Sequence, residues 1–181
     1  MATIRVSPLH TVLDEDGPAR VSRLMEHLST EAGVDAAWVD DGQETLAQPW
    51  DPMVLHAVRS LAAHMEYPPS FLGIKRAYKL GKDPRASASL QRIFDGDQTA
   101  FPHLMRHSDN KGLWVPAALP APVAANEQQW WMVGSVPGVL EELGRLESRV
   151  DEGGPRLRQA FESLKAIFET ARRAGLPVII D

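Results

Sequence analysis

Residues 155–174 combine a one-sided apolar stripe with an abrupt stop, and no other stretch limits the possible folds as tightly. Leu157, Phe161, Leu164, Ile167 and Phe168 recur at three- and four-residue spacing with charge between them, which predicts a long helix with one face to bury. Gly175 ends that helix, and Leu176-Pro177-Val178-Ile179-Ile180 follows as a terminal apolar strand. A helix of this kind running straight into a buried-type strand points to an α+β chain, in which helices cover a sheet.

The rest of the chain reads the same way. Thr3-Ile4-Arg5-Val6-Ser7 alternates as a short strand, stopped by Pro8. Pro18 opens a helix to about residue 32, with Val21, Leu24, Met25 and Leu28 on one stripe and Gly33 at its end. Ala36-Ala37-Trp38-Val39 reads as a strand before the Asp40-Asp41-Gly42 turn. Asp51 and Pro52 form a helix start, and the spacing of Val54, Leu55, Val58, Leu61, Ala62 and Met65 carries that helix to residue 66, before Pro68-Pro69. Shorter helices are expected over 70–83, 84–94 and 99–106, and strands over 112–116 and 130–134, with 117–126 as a loop between them. Ser135 caps a further helix over 137–149, which Gly153-Gly154-Pro155 breaks. The expectation is a single α+β domain over 1–181, mainly helical, with five to seven helices, a small sheet and no separable linker.

Composition narrows the chemistry. With no cysteine among 181 residues, disulfide scaffolds, thiolate metal sites and cysteine nucleophiles are excluded. No apolar run approaches the roughly 20 residues that span a bilayer, and the first residues lack the pattern of a signal peptide, so a cytoplasmic protein without a membrane partner is expected. The net charge of −5 is uneven: residues 1–51 carry ten acids and three bases, whereas residues 52–111 carry five acids and nine bases. Lys75, Arg76, Lys79, Lys82 and Arg85 form a basic patch, but overall acidity argues against a nucleic-acid partner.

The densest set of chemically capable side chains lies between His103 and Pro116. His103 and His107 stand four residues apart, the spacing at which two imidazoles on a helix meet one metal ion. The metalloprotease helix carries a glutamate beside its first histidine, and here Leu104 occupies that place, so neither a metal nor any other cofactor is expected. His103, His107, Ser108 and Asp109 remain the catalytic candidates, although Ser108 lacks the glycine-flanked elbow of a hydrolase nucleophile. Ser108 and Asp109 also suit a polar turn that bonds its own backbone. Trp114, Trp130, Trp131, Asp40 and Asp41 are the candidates for binding a protein partner. Glu141-Glu142 sits in a first helical turn, where the helix dipole favours acids.

The run His107-Ser108-Asp109, Gly112, Trp114-Val115-Pro116, then Gly134-Ser135 and Leu140-Glu141-Glu142-Leu143, resembles a group of uncharacterised bacterial proteins of similar size. In that group a His-Ser-Asp-x-x-Gly-aromatic-x-x-Pro segment precedes a Gly-Ser turn and a leucine-rich acidic helix. Asn110-Lys111 and Ala117-Ala118 depart from the group's Cys-Glu and its second acid. The resemblance covers the second half of the chain and implies a bacterial origin without an established activity. Small acidic bacterial proteins of this style are similar to immunity proteins. The expected function is therefore non-enzymatic: a regulatory or immunity-type protein that holds a partner through an acidic, tryptophan-bearing surface. The alternatives are a small hydrolase or metal-dependent enzyme built on His103, His107 and Asp109, and a phosphate or nucleic-acid binder using residues 75–85.

Overall fold

Six short strands, drawn from both ends and the middle of the chain, form the central sheet of the computed structural model. It describes residues 2–13, 16–67, 88–108, 110–126 and 130–181. The strands are β1 (Thr3–Val6), β2 (Leu46–Pro49), β3 (Gly112–Val115), β4 (Val123–Ala124), β5 (Met132–Ser135) and β6 (Val178–Ile180). They lie in the order β2-β1-β6-β3-β5-β4, antiparallel throughout except for the parallel pair β3–β5. The terminal strand predicted from Val178-Ile179-Ile180 is thus a central one, paired with β1 on one side and β3 on the other.

Alternation along the strands sends side chains to two separate cores. Ile4, Val6, Trp114, Val178 and Ile180 pack with the stripes of α2 (Pro52–Glu66), α5 (Val136–Leu146) and α6 (Gly154–Ala174). Leu113, Val115, Val133 and Ile179 face the other way and pack with Val21, Leu24 and Leu28 of α1 (Gly17–Ala32). Two shorter helices, α3 (Ala88–Phe94) and α4 (Pro102–Met105), join the first core. The result is a mainly helical α+β fold; among the described residues α1 covers one face of the sheet and the other five α-helices lie on the opposite face.

The helix signals act as their chemistry dictates. The Asp51 side chain accepts from Met53 N at 2.9 Å ahead of Pro52, and Ser135 Oγ accepts from Gly138 N at 3.1 Å. Gly175 closes α6 at φ +67°, a left-handed conformation that favours glycine. No helix among the described residues is long and apolar enough to cross a membrane.

Several expectations need correction. Residues 36–39 form no strand, because side chains capture the backbone around them. Ala36 N donates to Ser29 Oγ at 3.0 Å, and the Asp40 carboxylate accepts from Leu9 N at 2.6 Å and His10 N at 2.9 Å. The strand forms downstream as β2, which has no β-branched residue and owes its conformation to pairing with β1 from Thr3↔Pro49 to Val6↔Leu46. The helix expected over 137–149 ends at Leu146 and tightens into a 3-10 segment, Glu147–Gly153. The one expected over 99–106 is a single turn, and the 117–126 loop contributes the two residues of β4. The helix expected over 70–83 and the basic patch at Lys75, Arg76, Lys79, Lys82 and Arg85 lie outside the described residues.

Candidate functional site

Burial decides the fate of the histidine-rich segment. His103 occupies α4, whereas His107 lies beyond its end at Arg106, so the i, i+4 pairing of the two imidazoles on one helix is lost. His103 Nδ1 accepts a hydrogen bond from Ser135 N at 3.2 Å, which leaves the proton of the neutral ring on Nε2. The His107 ring packs on Trp114, with ring centres 4.4 Å apart and planes tilted by 40°. Neither His107 nitrogen reaches hydrogen-bond geometry with a described partner. Burial lowers the His103 pKa to about 4, against the opposing pull of the Leu119 backbone and the Glu141 charge. Burial also holds His107 well below its ordinary value, and the charges of Arg59 and His103 add to that effect. Among the described residues no group of three potential ligands gathers around a metal-sized space. Ser108 is exposed and its Oγ accepts from Asn110 N at 3.3 Å, the local turn bond its residue type favours; Asp109 lies outside the described residues.

Two charged residues hold this segment in place: Arg59, which the sequence reading passed over, and Glu142, which it took for a helix-dipole partner. Arg59, on α2 and 1% exposed, donates from Nε to the Leu104 carbonyl at 2.5 Å and from an Nη to the His107 carbonyl at 2.7 Å. Glu142, on α5 and 2% exposed, accepts from the backbone N–H groups of His103 and Leu104, both at 2.8 Å. Those donors belong to the first turn of α4, so the carboxylate serves the N-terminus of a neighbouring helix rather than its own. Burial pushes the Glu142 carboxyl up to about 7 despite these two bonds. Trp114 Nε1 donates to the His103 carbonyl at 2.9 Å, and Ser135 Oγ donates to the Ala117 carbonyl at 2.8 Å. A buried polar network therefore ties α2, α4, α5, β3 and β5 together.

Glycine makes room for it. A Cβ on Gly138 would lie 2.3–2.9 Å from the His103 ring, and one on Gly134 would lie 2.4–2.8 Å from the Trp114 and His107 rings. Gly138→Ala is expected to destabilise the fold by roughly 1–3 kcal/mol, read from the urea midpoint, because a buried ring must shift. An unchanged midpoint would show that His103 yields without loss.

The binding candidates divide by exposure. Trp114 and Trp130 are buried, whereas Trp131 is 87% exposed. The Asp40 carboxylate is committed to Leu9 N, His10 N, His10 Nδ1 and Trp38 Nε1, while Asp41 faces solvent. Around Asp41 the sequence is strongly acidic. Residues 14–44 carry nine acids and only Arg20 and Arg23 as full cations. Glu26, Glu31, Asp35 and Asp41 are exposed and form no ion pair with a described residue. On the opposite layer four acids are matched, Arg149 with Glu152, Arg158 with Asp151 and Glu162, and Lys165 with Glu147, while Glu141 and Glu169 form no ion pair with a described residue.

No curated protein and no solved structure matches the chain. The sequence pattern of a family described as "Putative DNA-mimic protein" matches residues 3–175. This overturns the expectation of an immunity-type or regulatory binder, and with it the hydrolase alternative. It points instead to mimicry of DNA towards a DNA-binding protein. The match runs through the acidic first third as well as the second half that carries the earlier resemblance, and the chain belongs to that family.

Proposed function

We propose that the protein acts as a DNA mimic, presenting surface carboxylates in place of phosphates and occupying the DNA-binding face of a partner protein. The family match over residues 3–175 carries this reading. The exposed acids Glu26, Glu31, Asp35 and Asp41, which form no ion pair with a described residue, support it in physical terms. A DNA-binding surface is built to meet a dense row of negative charge, about one per 1.7 Å of duplex axis. Carboxylates already neutralised within the fold offer such a surface little. Those on the α1 layer keep their full field, which speeds encounter with a basic partner and fixes its orientation. A DNA-binding partner also locates the protein in a bacterial cytoplasm.

The test is displacement. Immobilised protein is exposed to an extract of the source organism and then washed with short duplex DNA of mixed sequence. Retained protein is expected to leave with the duplex, and the triple variant Glu31→Lys, Asp35→Lys, Asp41→Lys is expected to retain it about 100-fold more weakly. That figure corresponds to roughly 1 kcal/mol lost at each reversed charge. Retention of nothing, or of a protein that duplex DNA fails to displace, overturns the proposal.

A further inference from the structure

Among the described residues, the large apolar side chains most open to solvent are Trp131, Val39, Phe94, Met53 and Val34. Three of these five belong to or adjoin the acidic layer. Val34 lies between Glu31 and Asp35, and Val39 lies between Asp35 and Asp41. Trp131 stands at the open edge of the sheet, where its carbonyl accepts from Ala125 N at 2.9 Å, next to the short edge strand β4. The neighbouring Ala124 carbonyl bonds His27 Nε2 of α1 at 2.8 Å, so the edge that carries Trp131 is joined to the helix that carries Glu26 and Glu31. An exposed indole on an edge tied through His27 to the helix of Glu26 and Glu31, acids that form no ion pair with a described residue, has the composition of an interface, in which aromatic anchors sit within a charged surround.

The fold pairs aromatic rings with arginine elsewhere. Arg92 lies over the Tyr67 ring at 4.3 Å and Arg145 over the Phe101 ring at 5.0 Å. Tryptophan offers the strongest ring face for a cation, yet Trp131 meets no cation among the described residues. We infer that Trp131 anchors the partner-binding face by stacking on an arginine guanidinium of the partner's phosphate-contacting surface. The inference rests on the DNA-mimic reading and sharpens it. The α1 carboxylates supply the charge that a phosphate would supply, and Trp131 supplies a flat surface that selects arginine over lysine.

Nona-arginine and nona-lysine peptides, fluorescently labelled, serve as probes in anisotropy titrations at low ionic strength. The wild type is expected to bind nona-arginine more tightly than nona-lysine. Trp131→Ala is expected to weaken nona-arginine about fivefold and to leave nona-lysine within twofold. Trp131→Phe, which keeps a weaker ring face, should fall between the two. Glu31→Lys with Asp35→Lys should weaken both peptides alike. Because Trp131 is almost fully exposed, its removal leaves the core untouched and the variant folded. If Trp131→Ala leaves both peptides unchanged, the aromatic anchor is wrong while the acidic mimicry stands. If neither peptide binds the wild type, both fail. If light scattering finds a wild-type oligomer that Trp131→Ala turns into a monomer, Trp131 serves a second copy of this chain and the inference is overturned.

Discussion

Replacing Arg59 by alanine is expected to remove roughly 3–5 kcal/mol of stability, a large part of what a domain of this size commonly has. The side chain is 1% exposed and its guanidinium spans two carbonyls, Leu104 O and His107 O, that leave α4 and the segment after it. Without it both oxygens stay buried with a donor lost, at about 1–3 kcal/mol each, and the methylene stem leaves a cavity in the first core. Arg59→Lys should recover only part of the loss, because a single ammonium cannot bridge two acceptors in the fork geometry of a guanidinium. The measurement is the urea midpoint with the slope held common to all three proteins. A midpoint for Arg59→Ala within 1 kcal/mol of wild type would mean that the carbonyls find other donors, and the network account would fail.

Arg59 also shows what a single sequence conceals. It falls within the apolar stripe of α2, beside Val58 and one turn from Leu55 and Ala62, a placement that marks a buried arginine. The stripe itself was legible, and with Asp51, Pro52 and Pro68 around it the helix was bounded at 52–66 as the structure has it. The partners of Arg59 were not legible, since they lie 45 and 48 residues away. Glu142 gives the same lesson. Its position three residues after Val139 places it on the inward face of α5, and the expectation of a first-turn dipole partner fails because α5 begins at Val136 and has no acid in its first turn. Only the approach of α4 to that face supplies its partners. Local chemistry likewise located the caps at Asp51, Ser135 and Gly175, where partners stand within a few residues. It misplaced the second strand, because Leu46-Ala47-Gln48-Pro49 becomes extended only through pairing with β1. In the candidate site, the crowding of His103, His107 and Trp114 was visible, but which groups turn inward depends on contacts that sequence spacing does not contain. Trp130 and Trp131 are neighbours of one type, one buried and one exposed. The acidic first third was countable from the outset, although which of its acids pair within the fold became evident only in the structure, where Glu44 meets Arg5 and Asp40 meets His10.

Acidification sets the buried histidines against the buried Glu142 carboxyl, and the balance is measurable. His103, with its pKa lowered to about 4, and His107, held well below its ordinary value by burial, stay neutral in the folded chain. Once unfolded, each takes up a proton as pH falls through about 6.5, so stability present above that value is lost on the way down. Between pH 7 and 5 each of the two removes roughly 2 kcal/mol, and burial lowers His64 in the same direction. Glu142 works the other way. Its folded pKa, raised to about 7, favours the protonated carboxyl, and that contribution is fully present below the unfolded carboxyl range and fades as pH rises through 7. Over the same interval of acidification it returns roughly 2 kcal/mol, about half of what the two histidines remove. With the His64 loss added in both proteins, the wild type is therefore expected to lose at least roughly 2 kcal/mol from pH 7 to pH 5, and Glu142→Gln roughly 2 kcal/mol more, because glutamine keeps a carbonyl acceptor for the α4 amides but cannot titrate. Urea midpoints at pH 7, 6 and 5 give both slopes, with the comparison made between pH values within each protein so that any baseline change in the variant cancels. His107→Phe, which keeps an aromatic ring on Trp114, should flatten the wild-type slope. Parallel slopes for wild type and Glu142→Gln would show that the Glu142 carboxyl is already ionised when folded, with its two backbone donors outweighing burial.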